Sequence, residues 1–131
     1  MRLLLDTHIL LWAITDSPFL SRTAQAFLRD PTNDIYASSV NIWEIAIKYA
    51  MNRGSAGDMP ITAEAALAMV REATYELISI APEHAAAVGQ LPMIHRDPFD
   101  RLLVAQACHE NFHLLTHYNM LADYGDYILI V

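Results

Sequence analysis

Three acidic side chains stand in apolar surroundings, where a soluble protein has least reason to keep a carboxylate. Asp6 follows three consecutive leucines, Glu44 lies in a stretch rich in isoleucine, and Asp100 follows a Pro-Phe pair. Carboxylates almost never enter a core unless they are paired or bound to a cation. The three acids therefore predict one divalent metal site.

Each of the three acids also has a purely structural interpretation. Asp6 can cap a helix that starts near Thr7, because aspartate is favoured at the N-cap position. Glu44 can pair on the surface with Lys48, a contact worth only roughly 0.2–0.5 kcal/mol. Asp100 can be the acidic residue of a first helical turn. What favours a functional site is that all three fall on or near helices that follow predicted strands.

Short apolar runs alternate with longer helical patterns along the chain. The apolar runs predict strands at residues 2–5, 34–37, 76–80, 112–116 and 127–131. Apolar spacing of three to four residues predicts helices at residues 18–30, 38–51, 62–73, 82–90 and 98–111. This alternation predicts a mainly parallel sheet with helices on both faces. Ligands of such sheets bind beyond the carboxyl ends of the strands, which is where Asp6 falls.

The composition predicts one compact domain that spans residues 1–131. Hydrophobic residues make up 54% of the chain, which is enough for a substantial core. A length of 131 residues leaves little room for a second domain. A lone cysteine, Cys108, excludes an internal disulfide and fits a reducing compartment, so we expect a cytoplasmic protein. Asp6, Thr7 and His8 interrupt the apolar start, so we expect neither a signal peptide nor a membrane span.

The formal net charge of −7 argues against tight, purely electrostatic binding of nucleic acid, because such binding depends on Lys and Arg that neutralise phosphates. It does not exclude a nuclease. Carboxylates that hold a metal ion add negative charge to the free protein, and the bound cation reverses the local field.

The segment from Asp97 to Arg101 predicts a helix start that positions one of the three acids. Proline is favoured at the first helical position and aspartate just before it, so Asp97 is predicted as N-cap, Pro98 as N1 and Asp100 as N3. The helix N-terminus is expected to keep the Asp100 carboxylate ionised, as a metal ligand must be.

Three motifs together resemble those of the PIN-domain ribonucleases and, more narrowly, of the VapC-type toxins of prokaryotic toxin–antitoxin pairs. They are Leu5-Asp6-Thr7-His8, Ser38 six residues before Glu44 in Trp43-Glu44-Ile45-Ala46-Ile47-Lys48, and the run from Asp97 to Ala107. The resemblance covers almost the whole chain, and the third motif is specific.

The resemblance implies a three-layer α/β/α sandwich and endonucleolytic cleavage of RNA. It implies a Mg²⁺ or Mn²⁺ site in which Asp6, Glu44 and Asp100 are the catalytic and metal-binding acids. The resemblance implies two binding partners, the RNA substrate and a small antitoxin protein. It also implies that the protein forms a homodimer. Mg²⁺ prefers oxygen ligands, which agrees with an Asp/Glu cluster.

One position departs from the family pattern. Such toxins usually place a fourth acid in a Thr-x-Asp pattern after a late core strand, whereas Tyr118 stands at that place here. Asn119 offers a neutral oxygen and Asp123 a carboxylate further along, but neither follows from the motif. An inactive, toxin-like interaction module is therefore an alternative to the ribonuclease.

Three cations are candidates to contact phosphate: Arg101, Arg96 and Lys48. A surface salt bridge is an equally good interpretation of each. A third class of function, a phosphatase or phosphotransfer domain with Asp6 as nucleophile, is less favoured. Asp6 lacks the second aspartate of an Asp-x-Asp pair, and no Gly-rich phosphate loop follows a strand.

The remaining residues with possible chemistry are six histidines and three large aromatic side chains. His109, His113 and His117 are spaced by four, but a strand that starts at residue 112 separates them, so zinc is a minor alternative. The aromatic side chains are expected to fill the core, with stacking on RNA bases as the alternative. They are Trp12, Trp43 and Phe99.

Overall fold

The protein, described here from a computed structural model that covers residues 1–131, contains one five-stranded sheet. The strands are β1 (Arg2–Leu5), β2 (Asp34–Ser38), β3 (Glu76–Ile78), β4 (His113–Thr116) and β5 (Ile128–Ile130). All neighbours pair in parallel, in the order β3-β2-β1-β4-β5. The chain adds strands on one side of β1 and then crosses to its other side. This topological switch point lies between β1 and β4, where ligands of such sheets bind.

Six α-helices connect the strands. They are α1 (Thr7–Ile14), α2 (Arg22–Arg29), α3 (Ser39–Ala50), α4 (Ala63–Glu72), α5 (Pro82–Ala87) and α6 (Pro98–Glu110). Two 3-10 helices, Val88–Gln90 and Asn119–Tyr124, complete the secondary structure. No helix is long and apolar enough to cross a membrane.

The central strand β1 is buried on both faces, which explains its uninterrupted leucine run. Leu4 packs with residues of α6, β4 and β5 in one cluster, whereas Leu3 and Leu5 pack with residues of α1, β2 and α4 in a second cluster. Alternate side chains of a strand point to opposite faces, so three consecutive leucines supply both layers. The fold is the expected three-layer α/β/α sandwich.

The predicted strands are confirmed, with differences of one or two residues at their ends. β3 stops at Ile78 instead of residue 80, and β2 continues to Ser38. The helix predicted from residue 18 starts at Arg22, because the Ser21 side chain caps it by accepting from the Ala24 amide. The 3-10 helix after β4 was not expected.

The prediction that Trp43 fills the core was wrong. Its side chain is 52% exposed and packs edge-on against Phe99, with ring centroids 4.9 Å apart. The hydrophobic residues of α3 surround the helix rather than forming one narrow stripe, so the sequence pattern does not say which of them faces out. Phe99 and Trp12 are partly buried against the two core clusters, as expected.

Candidate functional site

Asp6 lies directly beyond the carboxyl end of β1, and both of its carboxylate oxygens are held. Oδ1 accepts a hydrogen bond from the Ile9 amide at 2.8 Å and so caps α1, whereas Oδ2 accepts from the Thr116 hydroxyl at the end of β4. The side chain is 3% exposed. The capping interpretation of Asp6 is therefore correct, and it fixes the orientation of the carboxylate at the switch point.

Glu44 is buried on α3 and is held from two sides. Its Oε1 accepts from the Thr7 hydroxyl at 2.6 Å, and its Oε2 pairs with the Lys48 ammonium. The Asn41 side chain donates to Thr7 Oγ1 at 3.1 Å and to the Leu5 carbonyl at 3.2 Å, which ties α3 to the end of β1. The pair with Lys48 exists, but it joins a buried carboxylate to a half-exposed cation rather than two surface groups.

Asp100 occupies the N3 position of α6, where its backbone amide donates to the Asp97 carboxylate at 2.9 Å. Burial, followed by the negative charges of Asp97, Glu44 and Asp6, raises the pKa of Asp100 to about 7. In the metal-free protein, the position at the helix N-terminus therefore does not hold the pKa of this carboxyl at its ordinary value. Its charge repulsion with Glu44 and Asp6 indicates that the three predicted acids lie together.

A series of hydrogen bonds connects Arg101 to Asp100 through Tyr124 and His95. The Arg101 guanidinium donates to the Tyr124 hydroxyl at 2.9 Å, and that hydroxyl lies 2.8 Å from His95 Nδ1. His95 Nε2 lies 3.3 Å from Asp100 Oδ2. Because the tyrosine oxygen already accepts from arginine, its proton points to Nδ1, which leaves the imidazole proton on Nε2, facing the carboxylate. Burial lowers the pKa of His95, which favours this neutral tautomer.

The predicted phosphate contact Arg101 is a structural residue. Its side chain is buried, and its guanidinium also donates to the carbonyls of Val88 at 3.3 Å and Pro92 at 3.0 Å. These acceptors lie in the segment before α6, which carries no strand or helix of its own between residues 91 and 97. The sequence could not distinguish this role, because a guanidinium is equally suited to a phosphate and to backbone carbonyls.

Replacing Arg101 with alanine is expected to lower the free energy of unfolding by about 2–4 kcal/mol, because a buried side chain is removed and the carbonyls of Val88 and Pro92 and the Tyr124 hydroxyl lose their donor. Urea denaturation followed by circular dichroism measures the change. Arg96→Ala is the matched control, since Arg96 is exposed and forms no ion pair, and it should change stability by less than about 0.5 kcal/mol. A fully stable Arg101→Ala variant with weakened RNA binding would restore the phosphate-contact interpretation.

Of the other two predicted phosphate contacts, Lys48 alone lies at the acids. Burial lowers the pKa of Lys48, but its hydrogen bond to Glu44 and the charges of Glu44, Asp97 and Asp100 outweigh burial and raise it. Its Nζ lies 5.9 Å from the centre of the Phe99 ring. Lys48 is therefore a firmly charged group at the edge of the acidic cluster.

The position of the missing fourth acid adjoins the site. The Tyr118 amide donates to Thr116 Oγ1 at 3.1 Å, the same hydroxyl that donates to Asp6. Burial and then the charges of Asp100 and Asp6 raise the pKa of Tyr118. Asn119 and Asp123 are exposed in the 3-10 helix and make no side-chain hydrogen bond to the acids. An acid at position 118 would thus stand near Asp6 and Asp100, whereas the two substitutes make no side-chain hydrogen bond to the acids.

His117, between Thr116 and Tyr118, is an unexpected neighbour of the site. Its Nδ1 lies 3.8 Å from Asp6 Oδ2, too far for a hydrogen bond, and has no other partner. Interaction with the Asp6 carboxylate raises the pKa of His117, although partial burial opposes the shift. A histidine at this site was not predicted, because His117 is spaced by four residues from His113, and His113 by four from His109, which suggested a shared helix face.

A second cluster of possible metal ligands lies at the far end of α6. Ligand atoms of His84, His109 and Glu110 lie within 4.8 Å of one another. His84 Nδ1, however, accepts from the Ala81 amide at 2.9 Å, so Nε2 carries the proton that it donates to Glu110 Oε1 at 2.7 Å. A metal ligand needs a free lone pair on that nitrogen. His84 in this cluster therefore caps a helix and donates a hydrogen bond to Glu110, and zinc gains no support from it.

The donor set of the acidic site fits a hard divalent cation. Asp6, Glu44 and Asp100 present carboxylate oxygens only, and Lys48 is the one cation that lowers the pKa of Asp100. Mg²⁺ and Mn²⁺ are the ions that such oxygen clusters hold. The raised pKa of Asp100 reflects burial first and then the nearby negative charges of Asp97, Glu44 and Asp6, which a divalent ion would offset.

The orienting residues Thr7, Asn41 and Thr116 were missed by sequence reasoning. Each ends a strand or starts the helix after it, and together they tie β1, α3 and β4 around the acids. Their only sequence signal is a hydroxyl or amide side chain within a few residues of a predicted strand end.

Comparison with solved structures identifies relatives of the fold. VapBC2 from Rickettsia felis, bound to a DNA fragment from its promoter, matches with a TM-score of 0.67 and 16% identity over 100% of this chain and 98% of that chain. A toxin-antitoxin complex from Klebsiella pneumoniae gives 0.61 and 20% over 96% and 94%. VapBC-5 from Mycobacterium tuberculosis gives 0.63 and 15% over 99% and 97%. Identities this low show a shared fold only.

Comparison of the sequence with curated proteins finds no match. The family model of the PIN domain, in contrast, matches residues 3–125, almost the whole chain. This match agrees with the parallel five-stranded sheet and with the acids at its switch point. The chain therefore belongs to the PIN domain family.

Proposed function

We propose that this protein is a metal-dependent endoribonuclease, the VapC-type toxin of a toxin–antitoxin pair. The observation that carries the proposal is the convergence of Asp6, Glu44 and Asp100, which come from three different elements and meet at the switch point of the sheet. Membership of the PIN domain family and the likeness to solved toxin–antitoxin complexes support it.

In the proposed mechanism, Asp6 and Asp100 are the first ligands of Mg²⁺ or Mn²⁺. When bound, the ion supplies Lewis-acid stabilisation of the phosphate charge and acidifies water. Glu44 acts as a further ligand, directly or through water, or accepts the proton of the attacking water. The hydrogen bonds from Thr116 to Asp6 and from Thr7 to Glu44 hold these two carboxylates in fixed directions, and Lys48 adds a positive charge beside the substrate phosphate.

The direct test is cleavage of a panel of structured and single-stranded RNAs by antitoxin-free protein, with Mg²⁺, Mn²⁺ or EDTA. Cleavage that needs a divalent ion supports the proposal. A folded wild-type protein that cuts none of the RNAs, and that binds no Mg²⁺ or Mn²⁺ by calorimetry, would contradict it.

Tyr118 favours a second candidate function, a non-catalytic interaction module with a toxin-like fold. The family's fourth acid would contribute a negative charge where Tyr118 stands, next to Asp6 and Asp100. On this alternative the protein keeps its fold and its partner surfaces but holds a cation too weakly for turnover.

Replacing Tyr118 with aspartate is expected to tighten Mg²⁺ binding by about tenfold, because a fourth carboxylate raises the charge of the site. Isothermal titration calorimetry measures the affinity, and Tyr118→Phe is the control that keeps the ring and adds no charge. If Tyr118→Asp gains affinity and cleavage while the wild type is inert, the module is the better description. Equal affinities of all three proteins would mean that position 118 lies outside the ion's reach.

The proposed partners are the RNA substrate and a small antitoxin protein, and a homodimer is the proposed assembly. The structural neighbours support an antitoxin, because one is a toxin-antitoxin complex and another is a member of the VapBC family of toxin-antitoxin systems. A cytoplasmic location is proposed because the single cysteine, Cys108, fits a reducing compartment.

A further inference from the structure

The Asp100 carboxylate makes one hydrogen bond within the protein, and its partner is His95. Each of the other two acids accepts a hydrogen bond from a threonine hydroxyl. His95 Nε2 lies 3.3 Å from Asp100 Oδ2, and no other side chain or backbone group donates to that carboxylate. The function proposed above gives His95 no role.

The position of His95 is fixed from two sides by Arg101. The guanidinium donates to the His95 carbonyl at 3.4 Å and to the Tyr124 hydroxyl at 2.9 Å, and that hydroxyl lies 2.8 Å from His95 Nδ1. The rings of His95 and Tyr124 also pack edge to face, with centroids 5.5 Å apart. Backbone and ring are thus both held, although the segment between residues 91 and 97 has no strand or helix.

The hydrogen bonds between Arg101 and Asp100 all run in one direction. Arginine can only donate, so the Tyr124 oxygen accepts from Arg101 and the Tyr124 proton is donated to His95 Nδ1. The imidazole proton is then on Nε2, where its acceptor is the carboxylate. A cation at the start of such a series polarises the hydrogen bonds that follow. The imidazole is therefore set to donate to an ionised Asp100.

Little solvent competes for the hydrogen bond between His95 and Asp100. The side chain of His95 is 10% exposed and that of Asp100 is 16% exposed. A hydrogen bond to an ionised group is stronger than one between neutral groups, and the low dielectric of a protein interior strengthens it further. Oδ2 of Asp100 is held in this way, whereas Oδ1 has no hydrogen-bond partner in the protein. A carboxylate that is fixed at one oxygen presents the other oxygen in a single direction.

We propose that His95 is a positioning residue, which fixes the direction in which the Asp100 carboxylate binds the divalent ion. The inference rests on the metal-dependent function proposed above and adds a residue to its site. Groups that hydrogen-bond to metal ligands orient those ligands, and their loss typically weakens metal binding or activity by roughly 10- to 100-fold. A histidine that only anchored the segment before α6 would contribute to stability and leave ion binding unchanged.

The first test is calorimetric titration of three variants and the wild type with Mg²⁺. His95→Phe keeps a ring but cannot donate, and we expect it to bind Mg²⁺ about 10- to 100-fold more weakly than the wild type. His95→Gln keeps an N–H donor at the end of its side chain and should bind Mg²⁺ within about threefold of the wild type. His109→Phe is the matched control, because His109 is exposed at the end of α6 remote from Asp100 and should leave the affinity unchanged.

Tyr124→Phe separates positioning from packing, because it removes one hydroxyl that makes no hydrogen bond to the acids. Without that hydroxyl, His95 Nδ1 loses its donor and the imidazole proton is free to move to Nδ1. Nitrogen-15 NMR of the metal-free proteins should show the Nε2–H tautomer of His95 in the wild type and a mixture of tautomers in the variant. We expect the variant to bind Mg²⁺ roughly threefold to tenfold more weakly.

Wild-type Mg²⁺ affinity in a folded His95→Phe protein would overturn the positioning role alone, as would a wild-type His95 protonated on Nδ1. Circular dichroism establishes that each variant is folded. Should His95→Phe not fold, Tyr124→Phe provides the same test, and an unchanged affinity of that variant overturns the role. A folded wild type that binds no divalent ion would overturn the positioning role and the ribonuclease proposal together. Neither measurement needs RNA cleavage, so the two failures are distinguishable.

Discussion

RNA cleavage by the Asp6→Asn variant is expected to be on the order of 10³-fold slower than cleavage by the wild type. Asparagine keeps one oxygen to cap α1 at Ile9, but its amide nitrogen cannot accept the hydrogen bond from Thr116. The substitution also removes the charge that would hold a cation. The variant should therefore lose both the ligand and the orientation of the site while α1 keeps its cap.

Cleavage is measured with Mg²⁺ at saturating and subsaturating concentrations, and ion binding is measured by calorimetry. Asp126→Asn is the matched control, because Asp126 is exposed and makes no side-chain hydrogen bond. It changes the net charge by the same amount and should keep full activity. Wild-type rates for a correctly folded Asp6→Asn protein would remove Asp6 from the mechanism.

In the absence of divalent ions, Asp100→Asn is expected to make the protein more stable by about 2 kcal/mol near pH 8. The folded state raises the pKa of Asp100 from its ordinary 3.8 to about 7, chiefly by burial and by the charges of Asp97, Glu44 and Asp6. A carboxyl whose pKa is raised by folding costs nothing below its unfolded pKa and destabilises the protein increasingly as pH rises through the folded value. The full shift corresponds to about 4 kcal/mol, which we halve because solvent screens a partly exposed group.

Urea unfolding of both proteins in EDTA, at about pH 4 and about pH 8, measures the effect. The stability difference should be near zero at the lower pH and should grow through about pH 7. Added Mg²⁺ should stabilise the wild type more than the variant, because binding to the folded state alone adds to its stability. A variant that is no more stable than the wild type at about pH 8 would mean that the acids are less crowded than the structure indicates.

The layers of the fold were predictable because the burial of a strand or helix determines which of its positions are apolar. Leu3, Leu4 and Leu5 are apolar without alternation, which is the pattern of a strand covered on both faces. Asp97 and Pro98 mark the start of α6 through local backbone preferences alone. Such signals depend only on neighbouring residues, so they can be recognised without knowledge of the tertiary structure.

The arrangement around the acids was less predictable, because it depends on contacts between distant segments. The hydroxyl that holds Asp6 belongs to Thr116, and only the pairing of β1 with β4 brings the two together. Arg101 was misassigned for a similar reason, since the carbonyls that it binds belong to the 3-10 helix and the loop before α6, whose path the sequence does not encode locally. The apolar residues next to them in the sequence identified the three acids, whereas the sequence did not identify the residues that hydrogen-bond to the acids.

The position of β1 in the middle of the sheet also sets the order in which the site can form during synthesis. β1 is made before the other four strands, yet one of its two neighbours, β4, ends at Thr116, 110 residues after Asp6. Until the ribosome has released that segment, Asp6 lacks its hydroxyl donor and one edge of β1 is unpaired. A nascent chain of this protein therefore carries an incomplete acidic site until β4 has emerged and paired with β1.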